Sequence, residues 1–385
     1  MNVVFVIPYF YPAWQYGGQP RSAYELARAL VHRGHHVKVL TTDSAGDSRL
    51  PSGRQVIDGI EVIYYRNLSN RLAFRQRIFW SPALFREVTH QLANADLLHI
   101  HELRSTLTVA AHRAAMSLKV PYVLSTHGGL RHLGRRGIKV VFDRLWGSRI
   151  LADAASVIAI SPIEDSEARS MGVAPSRIDA LPNMIATQEY DSLPAPGTFR
   201  NRWKLGSQPI ILFLGRLHWI KGADVLVEAF RELADSGARL IVAGPDDGQE
   251  RELRQKVSLL GLQDRVSFPG YLDHEKKLEA FVDANVLVVP SRSEVFAITA
   301  IEALASGCPV LMSDVCGLHP KPGAAEGLLE FRNEDVPDLA ARLRAALNDA
   351  SLRESAACGR KFVELNFSAE SISEKAERIY LKVTK

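Results

Sequence analysis

Residues 285–317 read NVLVVPSRSEVFAITAIEALASGCPVLMSDVCG. The run NVLVVPS (285–291) is apolar and rich in valine, a helix-forming segment follows it as far as Gly307, and CPVLMSD (308–314) is a second apolar run. A strand, a helix and another strand in that order, with strands too continuously apolar to have a wet face, read as one unit of a parallel sheet covered by helices. The same alternation extends in both directions. In the second half the strands expected are PIILFLGR (209–216), ARLIVAG (238–244) and RVSFPG (265–270), besides the two just named. In the first half they are VVFVIP (3–8), HVKVLTT (36–42), IEVIYY (60–65), DLLHIH (96–101), PYVLST (121–126) and SVIAIS (156–161). Between them lie helical stretches such as RSAYELARALVHRG, where Tyr24, Ala27, Leu30 and Val31 share a face and Gly34 ends the run.

The expected fold class is α/β: two Rossmann-like, doubly wound domains, 1–190 and 205–367, facing across a cleft. Residues 186–208 carry Pro194, Pro196, Gly197 and Gly206, with Pro209 directly after them, show no clear period and are expected to be the linker. The segment SAESISEKAERIYLKV opens an amphipathic helix, 368–385, expected to cross back onto the first domain. Ligands of such sheets bind at the carboxyl ends of the strands, which points to the cleft.

The composition fits this picture and removes several alternatives. With 385 residues, 46% of them hydrophobic and 23% charged, the chain is long enough for two ordinary cores. Cys308, Cys316 and Cys358 form no C-x-x-C pair, which gives neither a disulfide frame nor a zinc site and suits a reducing, cytoplasmic location. The opening MNVVFVIPYFYPAW has no basic leader and is interrupted by Pro8 and Pro12, so it is expected to be a first strand rather than a signal peptide. No apolar run reaches spanning length, so any membrane contact is expected to be peripheral, on the inner face of the cell membrane. Residues 1–195 hold 22 Lys+Arg against 16 Asp+Glu, and the remainder 25 against 27. That bias is open to two readings, an affinity for anionic lipid or acceptor and ordinary solvated arginine.

Three familiar phosphate or metal devices are missing. No two glycines stand one residue apart, which disfavours the G-x-G-x-x-G of nicotinamide and flavin enzymes. There is no G-x-x-x-x-G-K-[ST] loop and no G-x-S-x-G elbow. No two aspartates stand two apart, so D-x-D is absent as well.

What remains is concentrated in the second half. LGRLHWIKG places Arg216 and Lys221 in the loop leaving a strand and entering a helix, where two cations and a helix N-terminus would clamp a diphosphate without a metal. In SRSEVFAITAIEALASG, Glu294 and Glu302 stand in an E-x7-E arrangement, with Glu294 expected in the loop after the strand and Glu302 inside the helix that Gly307 ends. On a regular helix that spacing would turn them about 80° apart, so that both would line one ligand. Carboxylates there would accept hydrogen bonds from sugar or ribose hydroxyls. AGPDDG (243–248) supplies a glycine-ended strand that would approach the same ligand.

In this order and spacing, GRLHWIKGADVLVEAF, AGPDDG, FPGYL and SRSEVFAITAIEALASGCPVLMSDVCG resemble the C-terminal domain of glycosyltransferase family 4, retaining enzymes of the GT-B fold. YPAWQYGGQPRSAYELARAL, STHGGL and ALPNMI resemble that family's first glycine-rich loop, its acceptor-side histidine loop and its exit into the linker. The resemblance implies that Arg216 and Lys221 hold the donor diphosphate beside Gly215. It implies that Glu302 binds ribose, and that Glu294 with the backbone of Phe296, Ala297 and Ile298 holds the sugar. Gly17 and Gly18 would offer backbone amides to phosphate, and His127 with Gly128 would lie by the transferred sugar and acceptor. Two departures stand out: Ala297 where the family usually has glycine, which would tighten the sugar pocket, and Met184 after Asn183, near the hinge.

Other residues carry lesser expectations. Glu102, at a strand's carboxyl end, is a candidate for touching the acceptor. His99 and His101 would share a strand face but are disfavoured as metal ligands. Arg71, Arg75 and Arg77 beside Phe74, Ile78, Phe79 and Trp80 would dock on anionic lipid or form an ordinary surface helix. The function expected is metal-independent, retaining transfer of a hexosyl group from a nucleotide-diphosphate sugar, UDP before GDP, to a saccharide or lipid-linked saccharide. No cofactor or nucleic acid is expected. The alternatives are a GT-B sugar-nucleotide epimerase or hydrolase and a non-catalytic sugar-nucleotide-binding subunit.

Overall fold

The computed structural model describes residues 1–131, 136–318 and 327–385. The chain divides into two compact units, Met1–Met184 with Ala369–Lys385, and Ile185–Ser368. The first division falls at Met184 rather than residue 190.

The first unit is built on eight strands: β1 Asn2–Val6, β2 His36–Thr42, β3 Gly53–Ile57, β4 Ile60–Tyr65, β5 Leu97–His101, β6 Tyr122–Ser125, β7 Ser156–Ala159 and β8 Ile178–Ala180. Their order across the sheet is β8-β7-β6-β5-β1-β2-β4-β3. All neighbours are parallel except the β3–β4 pair at the edge. Alternate residues of each strand supply two cores. Val4, Val6, Leu98 and Ile100 face one, while Val3, Phe5, Val37 and Val39 face the other. The second core is closed by the helix Gly18–His32 and the C-terminal helix Ala369–Thr384, which brings Ile372, Ala376 and Tyr380 onto the sheet. Arg33 Nε donates to Glu377 at 2.9 Å, and Lys382 Nζ lies 3.0 Å from Asp179, which ties the C-terminal half of that helix to the unit.

The second unit contains β9 Ile210–Leu214, β10 Arg239–Ala243, β11 Val266–Gly270, β12 Val286–Val289, β13 Val310–Ser313 and β14 Leu328–Phe331, in the order β11-β10-β9-β12-β13-β14. Every pairing is parallel. The residues expected to be a linker are instead part of this unit. Tyr190 and Phe199 are fully buried, Asp283 accepts from the amides of Gly197 at 2.6 Å and Arg200 at 2.9 Å, and Arg202 pairs with buried Glu279 at 2.7 Å. Proline and glycine there shape a packed connection rather than a free one.

In both sheets the strand order reverses beside the first strand in the chain: between β1 and β5 in one unit, and between β9 and β12 in the other. Connections on either side of such a point leave in opposite directions and open a crevice at the carboxyl ends of those strands. The loops after β1, β5, β9 and β12 are therefore where each unit would hold a ligand. Among the described residues, no helix is long and apolar enough to cross a membrane.

Candidate active site

In the second unit, the loop after β9 carries Gly215, Arg216 and Lys221, and the loop after β12 carries Glu294. Two glycines set how closely these loops approach. A Cβ on Gly222, at φ +68, would lie 1.9 Å from the carbonyl oxygen of Pro290. One on Gly244, at φ +147, would lie 1.8 Å from the carbonyl oxygen of Gly215. Only glycine allows either contact. Gly222→Ala is expected to destabilise the fold by more than ~1 kcal/mol, read as a lowered thermal unfolding midpoint. An unchanged midpoint would place the Lys221 loop farther from β12.

The close approach puts Lys221 against Glu294, with which it forms an ion pair, while Arg216 pairs with Asp247 of the AGPDDG turn. The two pairs differ in exposure. Arg216 and Asp247 are both nearly half exposed, whereas Lys221 and Glu294 are largely buried. Asp246 accepts from the amides of Gly248, Gln249 and Glu250 at 3.0–3.1 Å, and these backbone hydrogen bonds, led by that of Glu250, hold its pKa below the ordinary carboxylate range. The turn that presents Asp247 is thereby fixed.

Arg292, which sequence reading passed over, staples the two loops. Its guanidinium donates to Asp224 at 2.8 and 2.7 Å, to the Trp219 carbonyl at 2.6 Å and to Glu334 at 2.7 Å. The hydrogen bonds to Asp224 are the main reason its pKa is raised.

Glu294 and Glu302 do not share a helix, because the helix begins only at Ile298. The 80° relation therefore does not apply. Glu302 is buried and accepts from Lys277 Nζ at 2.7 Å, whereas Glu294 belongs to Lys221. Lys277, on the helix His274–Asp283, is a second residue the sequence did not reveal. Phe296 is buried against Phe367, with ring centroids 5.8 Å apart. Ala297 has φ −82, a conformation open to any residue, and its side chain is covered by the protein itself. The Gly215 amide is engaged by Ala243 O at 3.0 Å, and its carbonyl is the one that Gly244 approaches.

In the first unit, the loop after β1 leads into the helix Gly18–His32, whose Gly17 cap supplies no side chain to its first amides. Those amides point to where an anion would sit. Across the switch point, Glu102 (φ +80) ends β5 and His127 (φ +47) follows β6. Left-handed backbone at non-glycine residues carries strain, which collects at functional positions.

His127 Nε2 lies 2.9 Å from His101 Nδ1, and burial lowers the His127 pKa to about 4, so its ring is neutral near pH 7. The loop around it is held by Glu164, a fully buried carboxylate that accepts from Thr126 Oγ1, from the amide of Gly128 at 2.7 Å and from that of Ile160 at 2.9 Å. The Gly128 amide is thereby committed to the fold. Arg104 holds the next carbonyls, those of Gly129 and Leu130, while pairing with Asp143 at 2.6 Å.

Glu102 Oε2 is buried without a hydrogen-bond partner. Burial raises its pKa to about 7, opposed by the charges of Arg77 and Lys139. Gln19 Nε2 is likewise buried and unpartnered, while its Oε1 accepts from Tyr9 at 2.7 Å. A carboxyl group and an amide left in this state are ready for hydroxyl groups.

His99 and His101 do share a strand face, and their rings stack at 4.1 Å. His99 is engaged by Tyr380 at 2.7 Å and Ser125 at 2.8 Å, so it is a buried structural histidine. Of the expected lipid-docking cluster, Arg71, Arg75, Arg77, Ile78 and Trp80 are exposed, and only the two phenylalanines turn inward. Phe79 is buried, Phe74 packs on the core, and Arg77 lies 4.8 Å over the Tyr16 ring.

A family model described as glycosyl transferases group 1 matches residues 198–359, and one described as glycosyltransferase family 4 matches residues 16–189. A D-inositol 3-phosphate glycosyltransferase of Nocardia farcinica is 30% identical over 356 residues, covering 86% of this chain and 77% of that protein. Another of that description, from Xylanimonas cellulosilytica, is 28% identical over 391 residues, covering 96% and 92%. Among solved structures, the sucrose-phosphate synthase of Thermosynechococcus elongatus is similar at TM-score 0.80 and 23% identity, covering 100% of this chain and 99% of that one. HepE of Anabaena, solved with UDP, is similar at TM-score 0.77 and 17% identity, covering 98% and 99%. Two Rossmann-like units with this strand order make the GT-B fold of those structures. The chain belongs to glycosyltransferase family 4.

Proposed function

We propose that this enzyme transfers a hexosyl group from a nucleoside-diphosphate sugar to a hydroxyl group, with retention of anomeric configuration and without a metal. The observation that carries this reading is the pair of cations at the switch point of the second sheet, each held by a carboxylate that a diphosphate would displace. The half-exposed Asp247 is a cheap partner to lose, because surface ion pairs contribute little. Glu294, released from Lys221, would then be free to accept from the hydroxyls of the bound sugar.

As the bond from the anomeric carbon to the phosphate oxygen breaks, the negative charge that develops on the leaving diphosphate is met by Arg216 and Lys221. The acceptor hydroxyl attacks from the same face and passes its proton to the departing phosphate oxygen. The neutral His127 ring and the Glu102 carboxyl group position the acceptor rather than take that proton. UDP is favoured over GDP as the donor nucleotide, in keeping with HepE having been solved with UDP and with UDP-glucose. The acceptor is a saccharide or lipid-linked saccharide, met at the inner face of the cell membrane.

A panel of UDP- and GDP-sugars, assayed for nucleotide release with and without a lipid-saccharide extract, tests this reading. Slow release accelerated by the extract is expected. Release that ignores the extract would indicate a hydrolase, and no release at all a binding subunit. Turnover is expected to survive EDTA, since two side-chain cations do the work of a metal here. Loss of activity on chelation with recovery on adding Mg²⁺ or Mn²⁺ would defeat that part of the proposal.

A further inference from the structure

Directly after the His127 loop, the chain forms a helical segment: Arg136–Phe142, a π-helical turn Asp143–Gly147, and Ser148–Asp153. Its outer face is apolar. Ile138 is 68% exposed, Val141 57% and Leu145 58%, and Ile138 and Val141, on the regular helix before the π turn, fall about 60° apart. Val140 and Trp146 are exposed beside them. A contiguous apolar stripe on the outside of a helix is unusual for a surface facing only water.

The charge around the stripe is one-sided. Residues 131–149 contain six Lys and Arg (Arg131, Arg135, Arg136, Lys139, Arg144 and Arg149) against Asp143 alone. That net of +5 nearly equals the whole excess of residues 1–195, which is +6 from 22 cations and 16 acids. The single acid is turned inward, buried and paired with Arg104, and Gly147 stands where a Cβ would lie 2.6 Å from its Oδ1. Exposed apolar side chains on a short helical segment that also exposes Arg144 and Arg149 match the interfacial helices that rest among anionic headgroups.

We infer that the outer face of residues 138–149 docks this enzyme on an anionic lipid surface. Arg104 connects that surface to the acceptor side, since one guanidinium binds Asp143 beneath the stripe and the carbonyls of Gly129 and Leu130 beside His127. A lipid-linked acceptor held in the membrane would thus arrive next to the loop read above as acceptor-binding. That consequence rests on the proposed function; the docking itself does not.

The test is co-sedimentation of the full chain with vesicles of phosphatidylcholine alone and with 30% phosphatidylglycerol, a composition on the order of an anionic bacterial leaflet. Wild-type protein is expected to bind only the anionic vesicles, and less at high salt. The combined variant Ile138→Ser, Val141→Ser, Leu145→Ser is expected to bind them at least ~10-fold more weakly, with its unfolding midpoint unchanged because the replaced side chains are exposed. Transfer to a water-soluble acceptor should be equal in both proteins, so failure of the catalytic reading and failure of docking show in separate measurements.

Three results would overturn the inference. One is equal vesicle binding by wild type and variant. Another is loss of binding on Leu72→Ser, Trp80→Ser instead. The third is a wild-type dimer that the stripe variant converts to monomer in the absence of lipid, which would make the occupant a second copy of the chain.

Discussion

Lys221→Ala and Arg216→Ala are each expected to lower kcat/KM at least ~100-fold, the usual cost of removing one donor aimed at developing charge. The two variants should not be equivalent in other respects. Lys221→Ala leaves the largely buried Glu294 without its cation, and an uncompensated carboxylate in that position also costs stability. Arg216→Ala strands only the half-exposed Asp247, so its unfolding midpoint should stay close to wild type. Asp247→Ala is the informative control. If Asp247 merely occupies Arg216 until a diphosphate arrives, removing it should leave kcat/KM unchanged or slightly raised. Steady-state rates at several donor concentrations separate these outcomes. Near-wild-type turnover in both cation variants would take the pair out of the donor site.

The parts of this molecule legible in its sequence are those whose cause is local. Continuously apolar runs such as Ile210–Leu214 and Val286–Val289 declare central parallel strands, because both faces of each must be buried. The strands that escaped reading lie toward the sheet edges. Gly53–Ile57 is almost wholly exposed and Ile178–Ala180 is only three residues long, so neither has an apolar pattern to detect, while Leu328–Phe331 is four residues at the edge with one buried side chain. The Pro- and Gly-rich stretch 186–208 misled for a related reason: its buried anchors, Tyr190 and Phe199, are too sparse to show a period.

The candidate site divides in the same way. Arg216 and Lys221 are near neighbours in a strand-to-helix loop, so their convergence could be read. Their partners could not. Asp247, Glu294, Lys277 and Arg292 come from loops and helices that only the folded sheet brings together, and Glu164 reaches the His127 loop from 36 residues away. Glutamate spacing gave the pair Glu294 and Glu302 but not its geometry, since the start of the helix at Ile298 decides that they serve different lysines.

That division of labour between the glutamates sets the remaining prediction. Glu302→Gln is expected to raise donor KM several-fold with little change in kcat, because ribose is bound equally in ground and transition states. It should also lower the unfolding midpoint, since the mostly buried Lys277 loses its counter-ion. Glu294→Gln is expected to depress kcat by ~10-fold or more, since its carboxylate contacts the sugar whose charge changes in the reaction. Its effect on donor affinity should be small or even favourable, because the same substitution frees Lys221 for phosphate. The wild-type enzyme should accumulate no glycosyl ester on either glutamate, as the acceptor attacks the anomeric carbon directly. The coupling constant of the product's anomeric proton should match that of the donor. An inverted product would overturn the retaining mechanism, and an ester trapped on Glu294 would overturn the direct attack while leaving the donor site as described.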